Sequence, residues 1–103
     1  MGTIIHHAII ATACTDDFSK LVALVGARGD CWVSDMGINA YRTFFLAPDG
    51  SKESWAESDT GDDLRDDVVK WLSRDDFYGE WCEIAMGELP GHDSDAIVTR
   101  RPG

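Results

Sequence analysis

Two rhythms of apolar residues alternate along this chain. Thr3–Ala13 is apolar on both sides of a two-residue repeat, with Ile5, Ile9 and Ala11 on one side and Ile4, Ala8 and Ile10 on the other. That suits a central strand covered on at least part of each face. The period then changes. Thr15-Asp16-Asp17 offers a helix start, with a capping hydroxyl and two carboxylates in the first turn. Phe18, Leu21, Val22 and Val25 recur at helical spacing and are expected to face the sheet. Gly26 weakens the last turn and Gly29 is the stop. Cys31–Val33 reads as a short strand and Ser34–Asn39 as a loop. Ala40–Ala47 reads as a stronger strand, because Tyr41, Phe44 and Phe45 favour a pleated, half-buried surface. Pro48-Asp49-Gly50 is a turn in which proline presets φ and glycine accepts a positive one.

Ser51–Gly61 is polar around a lone Trp55 and reads as a loop. A second helix follows, capped by Asp59 or Thr60, with Leu64, Val68, Trp71 and Leu72 as its buried stripe. Trp81–Met86 alternates again, placing Cys82, Ile84 and Met86 on one face and Trp81, Glu83 and Ala85 on the other; the Trp81 side is expected to be the more open one. Leu89–Asp95, with Pro90-Gly91, is a hairpin loop, and Ala96–Arg100 a short last strand. The order β-α-β-β-α-β-β predicts an α+β two-layer sandwich. Its antiparallel sheet carries both helices on one face, the ferredoxin-like or split βαβ plan, and the last strand extends the sheet. At 103 residues the chain is expected to form one domain, 1–103, with one modest core.

Charge changes the picture more than composition does. Apolar content is 44%, ordinary for a folded chain and too high for an acidic disordered tail. The formal net charge, however, is −10. Between Glu53 and Asp67 lie seven carboxylates (Glu53, Glu57, Asp59, Asp62, Asp63, Asp66, Asp67), with only Lys52 and Arg65 in or beside the stretch. Such a field repels nucleic acid and anionic membranes and attracts basic protein surfaces. Part of the cluster suits a helix N-terminus, where the dipole favours anions. The remainder suits a solvated face or a docking face.

Motifs for catalysis are lacking. Counting an EF-hand loop from Glu57 puts Asp62 where glycine is required and Val68 where glutamate is required, so calcium is not expected. No Walker A or G-x-G-x-x-G pattern occurs. Cys14, Cys31 and Cys82 are odd in number and form no C-x-x-C pair, so they read as small, buried, reduced side chains. His6 and His7 are neighbours on a strand and point to opposite faces. No metal, cofactor or enzymatic activity is expected. The apolar run Ile4–Ala13 is broken by His6 and His7, lacks a basic start and is too short to span a bilayer, so a cytoplasmic protein is expected.

His6-His7-Ala8-Ile9-Ile10 and the run Ala40-Tyr41-Arg42-Thr43-Phe44-Phe45-Leu46-Ala47-Pro48-Asp49-Gly50-Ser51-Lys52-Glu53, continuing through Trp55, Ser58-Asp59, Gly61-Asp62 and Arg65, resemble a class of small uncharacterised bacteriophage and prophage proteins. The resemblance covers about half the chain and carries no established site residues. It implies a phage accessory protein of the anti-CRISPR or anti-restriction kind, acting in the host cytoplasm. The expected function is therefore inhibition of a basic, nucleic-acid-binding host protein by competition, without direct contact to nucleic acid or membrane. The expected contact set is Glu57, Asp59, Asp62, Asp63, Asp66 and Asp67, with Trp55 as an anchor or as a pin holding its loop to the body. One alternative is a structural or assembly protein that forms a homodimer through a sheet edge or the Trp81 face. Another is a small enzyme or nucleotide-binding protein with a pocket near His6 or His7, Tyr41 and Arg42.

Overall fold

The computed structural model describes residues 5–14, 17–34, 40–48, 56–89, 92–93 and 96–102, without the side chains of 56–59, 88–89 and 92–93. Its elements are β1 (Ile5–Ala13), α1 (Phe18–Val25) followed by a 3₁₀ turn (Gly26–Arg28), β2 (Cys31–Val33), β3 (Arg42–Leu46), α2 (Ala56–Leu72), β4 (Gly79–Leu89), β5 (His92–Asp93) and β6 (Ile97–Arg100). The Thr15-Asp16 helix start, most of the Ser34–Asn39 loop, the Asp49-Gly50 turn, the Pro90-Gly91 turn and Trp55 lie outside the described residues.

The sheet runs β2-β3-β1-β4 with every neighbouring pair antiparallel, and β5 and β6 both pair with β4. That is the split βαβ order, an α+β two-layer sandwich as expected. The register fixes which side chains share a face, because residues opposite each other across antiparallel strands point the same way. Ile9, Ala11 and Ala13 of β1 join one core with Phe44 and Leu46 of β3, Trp81 of β4, Phe18, Leu21 and Val25 of α1, and Leu64, Val68 and Leu72 of α2. Both helices therefore cover the same side of the sheet. Phe18 sits at the junction, its ring centroid 6.1 Å from those of Phe44 and Phe77 and 6.3 Å from that of Trp71. Gly79 allows β4 to begin hard against β1: a Cβ there would lie 2.6 Å from the Thr12 carbonyl oxygen.

Four expectations are corrected. Helix α2 begins at Ala56, so Ala56–Gly61 is helix and not loop. Its low intrinsic propensity is offset by tertiary packing, since Gly61 is buried in line with Leu64 and Val68. Trp81 lies on the helix-covered face, 8% exposed, because it pairs with Ala11. Val22 is 39% exposed, since Phe18, Leu21 and Val25 already fill the stripe of an eight-residue helix. Cys14 is exposed, and Cys31 and Cys82 are only half-buried.

Candidate functional site

Two surfaces are candidates, one on each side of the sandwich. The first is the outer side of α2 with the charges beneath it. Glu83 sits on the helix-covered face of β4 and is 4% exposed. Two donors on β6 reach it. Arg100 donates to Glu83 from Nη2 at 2.7 Å and from Nε at 3.1 Å, and the Thr99 hydroxyl donates at 2.7 Å. A bulge at Glu83/Ile84 in the β4–β6 pairing places these neighbouring residues around one carboxylate. Arg65 of α2, 7% exposed, approaches Glu83 to 3.8 Å. Burial alone would raise the Glu83 carboxyl, but the Arg100 and Thr99 hydrogen bonds and the Arg100 charge outweigh it and hold the group below its usual range. The Glu83 bond raises Arg100 above its ordinary value, against the opposing effect of burial, and Asp66 adds to the rise.

The carboxylates of α2 join this network. Arg65 donates to Asp62 one turn earlier. Arg100 donates through Nη1 to Asp66 at 2.7 Å, and Arg28 of the 3₁₀ turn donates to Asp67 at 2.8 Å. Asp62 and Asp66 keep 56% and 55% of their side-chain surface in solvent. Asp63 is exposed, and Lys70 stands on the same side of the helix two turns on. Glu57 and Asp59 fall in the first turn of α2, where the backbone dipole favours anions. The structure thus groups Asp62, Asp63, Asp66 and Asp67 on one helix, and it gives three of these four an arginine partner. Trp55 is outside the described residues.

The second surface is the side of the sheet away from the helices. Trp32, Phe45, Ile10 and Cys82 are successive register partners, so they form one row across β2, β3, β1 and β4. Ala8, Ile84 and Val98 form a second row across β1, β4 and β6, and His6 pairs with Met86 in a third. Trp32 is 62% exposed, Val98 53%, Ile10 38% and Met86 37%. A polar row closes one end: Thr43 donates to the Thr12 hydroxyl oxygen at 3.2 Å, and Glu80 lies opposite Thr12. Among its register-paired residues with described side chains this face holds one carboxylate, Glu80, and no lysine or arginine, while the exposed Asp30 and Arg101 stand just beyond the ends of β2 and β6. In a chain that is 27% charged, that depletion makes the face a candidate contact surface.

Sequence reasoning missed this face. Its local signals were the two-sided apolar pattern of β1 and the Cys82, Ile84 and Met86 side of β4, and both were compatible with a covered face. Trp32 gave none, because a three-residue strand does not reveal which of its sides turns away from the core.

The concavities add less. A groove of about 660 Å³ runs between α2 and β6, lined by Val69, Ser73, Trp81, Thr99, Arg100 and Arg101 among others. Its Arg100 is already paired with Glu83 and Asp66. Arg42 lines a dent of about 300 Å³ with Phe18, Ser19, Val22 and Val33, without His6, His7 or Tyr41. No group of metal-ligating side chains occurs among the described residues, and no described helix is long and apolar enough to cross a membrane. Comparison with protein-family models, curated proteins and solved structures gives no match for this chain.

Proposed function

We propose that this chain is a non-catalytic binding protein whose contact surface is the open face of its sheet. One observation carries the reading: the row Trp32–Phe45–Ile10–Cys82 crosses four strands, ends in an indole 62% exposed, and has no lysine or arginine among the register-paired residues beside it. A solvated apolar row of that extent is costly in water and favourable against another apolar surface. Exposed aromatics such as Trp32 are typical anchors of protein interfaces.

A second reading keeps the function expected from charge, inhibition of a basic, nucleic-acid-binding host protein through the acidic side of α2. Its support is the net charge of −10 and the exposure of Asp62, Asp63 and Asp66. The arginine partners of Asp62, Asp66 and Asp67 reduce the field those groups present outward. A phage accessory role belongs to this second reading.

Tagged wild type, Ile10→Glu and the triple variant Asp63→Lys, Asp66→Lys, Asp67→Lys are to be compared for protein capture at two salt concentrations. The first reading expects Ile10→Glu to lose capture and the triple variant to keep it. The opposite result transfers the function to α2.

A further inference from the structure

We infer that the occupant of the open sheet face is a second copy of this chain, giving a two-fold dimer with sheet packed on sheet and the helices outside. The inference rests on the sheet face being the contact surface, and it names the partner.

Charge is the first argument. The register-paired residues of the face with described side chains offer a single carboxylate, Glu80, at one end, and so do not select a basic partner. A strongly basic surface laid on Trp32, Ile10 and Val98 would lose its hydration without gaining counter-charges. An identical face makes no such demand. With sheets about 10 Å apart, and each body centred about 5 Å behind its sheet, the two centres lie roughly 20 Å apart, more than two Debye lengths at ~0.15 M salt but less than one at ~0.01 M. Repulsion between two bodies of charge −10 is therefore largely screened at physiological salt and strong at low salt.

Shape and size agree. A two-fold axis along β1 lays the Trp32 edge of each copy over the Val98 edge of the other, an isologous contact in which each protruding side chain is used twice. The three residues of β2, five of β3, nine of β1 and four of β6, with the stretch of β4 that pairs with β1, give a flat footprint of roughly 450 Å². Side-chain relief raises the accessible area towards the ~600–800 Å² per partner of small specific interfaces. Pairing by edges is less favourable: β2, at one edge, has three residues, and β6, paired on the far side of β4, has four.

Sedimentation equilibrium and light scattering from micromolar to near-millimolar protein, at low and physiological salt, test this. The expected result is a reversible dimer of twice 11.3 kDa that strengthens as salt rises. Ile10→Glu should weaken it at least tenfold. Val98→Glu and Trp32→Ala, at positions more than half exposed and so harmless to folding, should do the same with unchanged circular dichroism. A monomer at every concentration and salt overturns the inference, as does a dimer that all three variants leave intact. Binding of an apolar dye separates the two failures. A monomer whose dye binding is lost in Ile10→Glu still has an open contact face for another protein. A monomer whose dye binding ignores Ile10→Glu has lost the face reading as well.

Discussion

On the helix side of the sandwich, Asp62, Asp66 and Asp67 each meet an arginine, and Glu83 beneath them meets Arg100, Thr99 and Arg65. On the opposite side, Trp32, Ile10, Met86 and Val98 stand more than a third exposed on a face whose register-paired residues include no lysine or arginine. The first surface is conspicuous in the sequence and largely neutralised in space. The second is inconspicuous in the sequence and unsatisfied in space. Charge density along a chain is thus a poor guide to the field outside a fold, because the third dimension decides which cation stands beside which carboxylate.

The largest effect is expected at Glu83. If the charges on the helix side act as one buried network, Glu83→Ala leaves Arg65 and Arg100 without their shared carboxylate and should lower stability by about 3–5 kcal/mol in urea or thermal unfolding. A loss below about 1 kcal/mol would show the network to be solvated.

The acid limb of the stability curve sharpens the same point. Glu83 titrates below its usual range when folded, so its stabilisation is complete above the unfolded carboxyl value of about 4.3 and is lost as pH falls through the lower folded value. The melting temperature of the wild type should therefore drop more steeply below about pH 4 than that of Glu83→Gln. Parallel curves would remove Glu83 as the cause.

The paired surface aspartates come next. Asp67→Ala breaks a partly exposed bridge to Arg28 and should cost about 0.2–1 kcal/mol, less at high salt. Smallest are Asp63→Ala on one side and Trp32→Ala on the other, each expected to move stability by no more than about 0.5 kcal/mol. Asp63→Ala should leave self-association unchanged, whereas Trp32→Ala should reduce it. Equal effects on association would erase the distinction between the two surfaces.

Much of the fold was legible because the relevant signals are local. The two-sided apolar run of β1, the helical spacing of Phe18, Leu21 and Val25, and the alternation around Cys82 and Ile84 each place an element correctly. The start of α2 was not legible. Ser58, Asp59, Thr60 and Gly61 are poor helix formers, and the burial of Gly61 against the body, which favours helix there, is a tertiary effect. The facing of Trp81 was not legible either. Alternation separates Trp81 from Cys82 but does not say which of the two meets the helices; the register with Ala11 does. The candidate site was the least legible part, since a row that crosses β2, β3, β1 and β4 joins residues 10, 32, 45 and 82.

By itself the sequence determined most of the elements, their α+β class and a net charge of −10, because periodicity and composition are properties of neighbours along the chain and of sums over it. Tertiary structure alone decided that Arg28, Arg65 and Arg100 converge on the carboxylates of α2 and on Glu83, and that the register-paired residues on the side of the sheet away from the helices are mostly apolar and include no lysine or arginine. The physical reason is that pairing and exposure depend on distances between residues far apart along the chain, 39 positions for Arg28 and Asp67 and 82 for the register partners Ile5 and Gly87, and those distances exist only after the strands have taken their register.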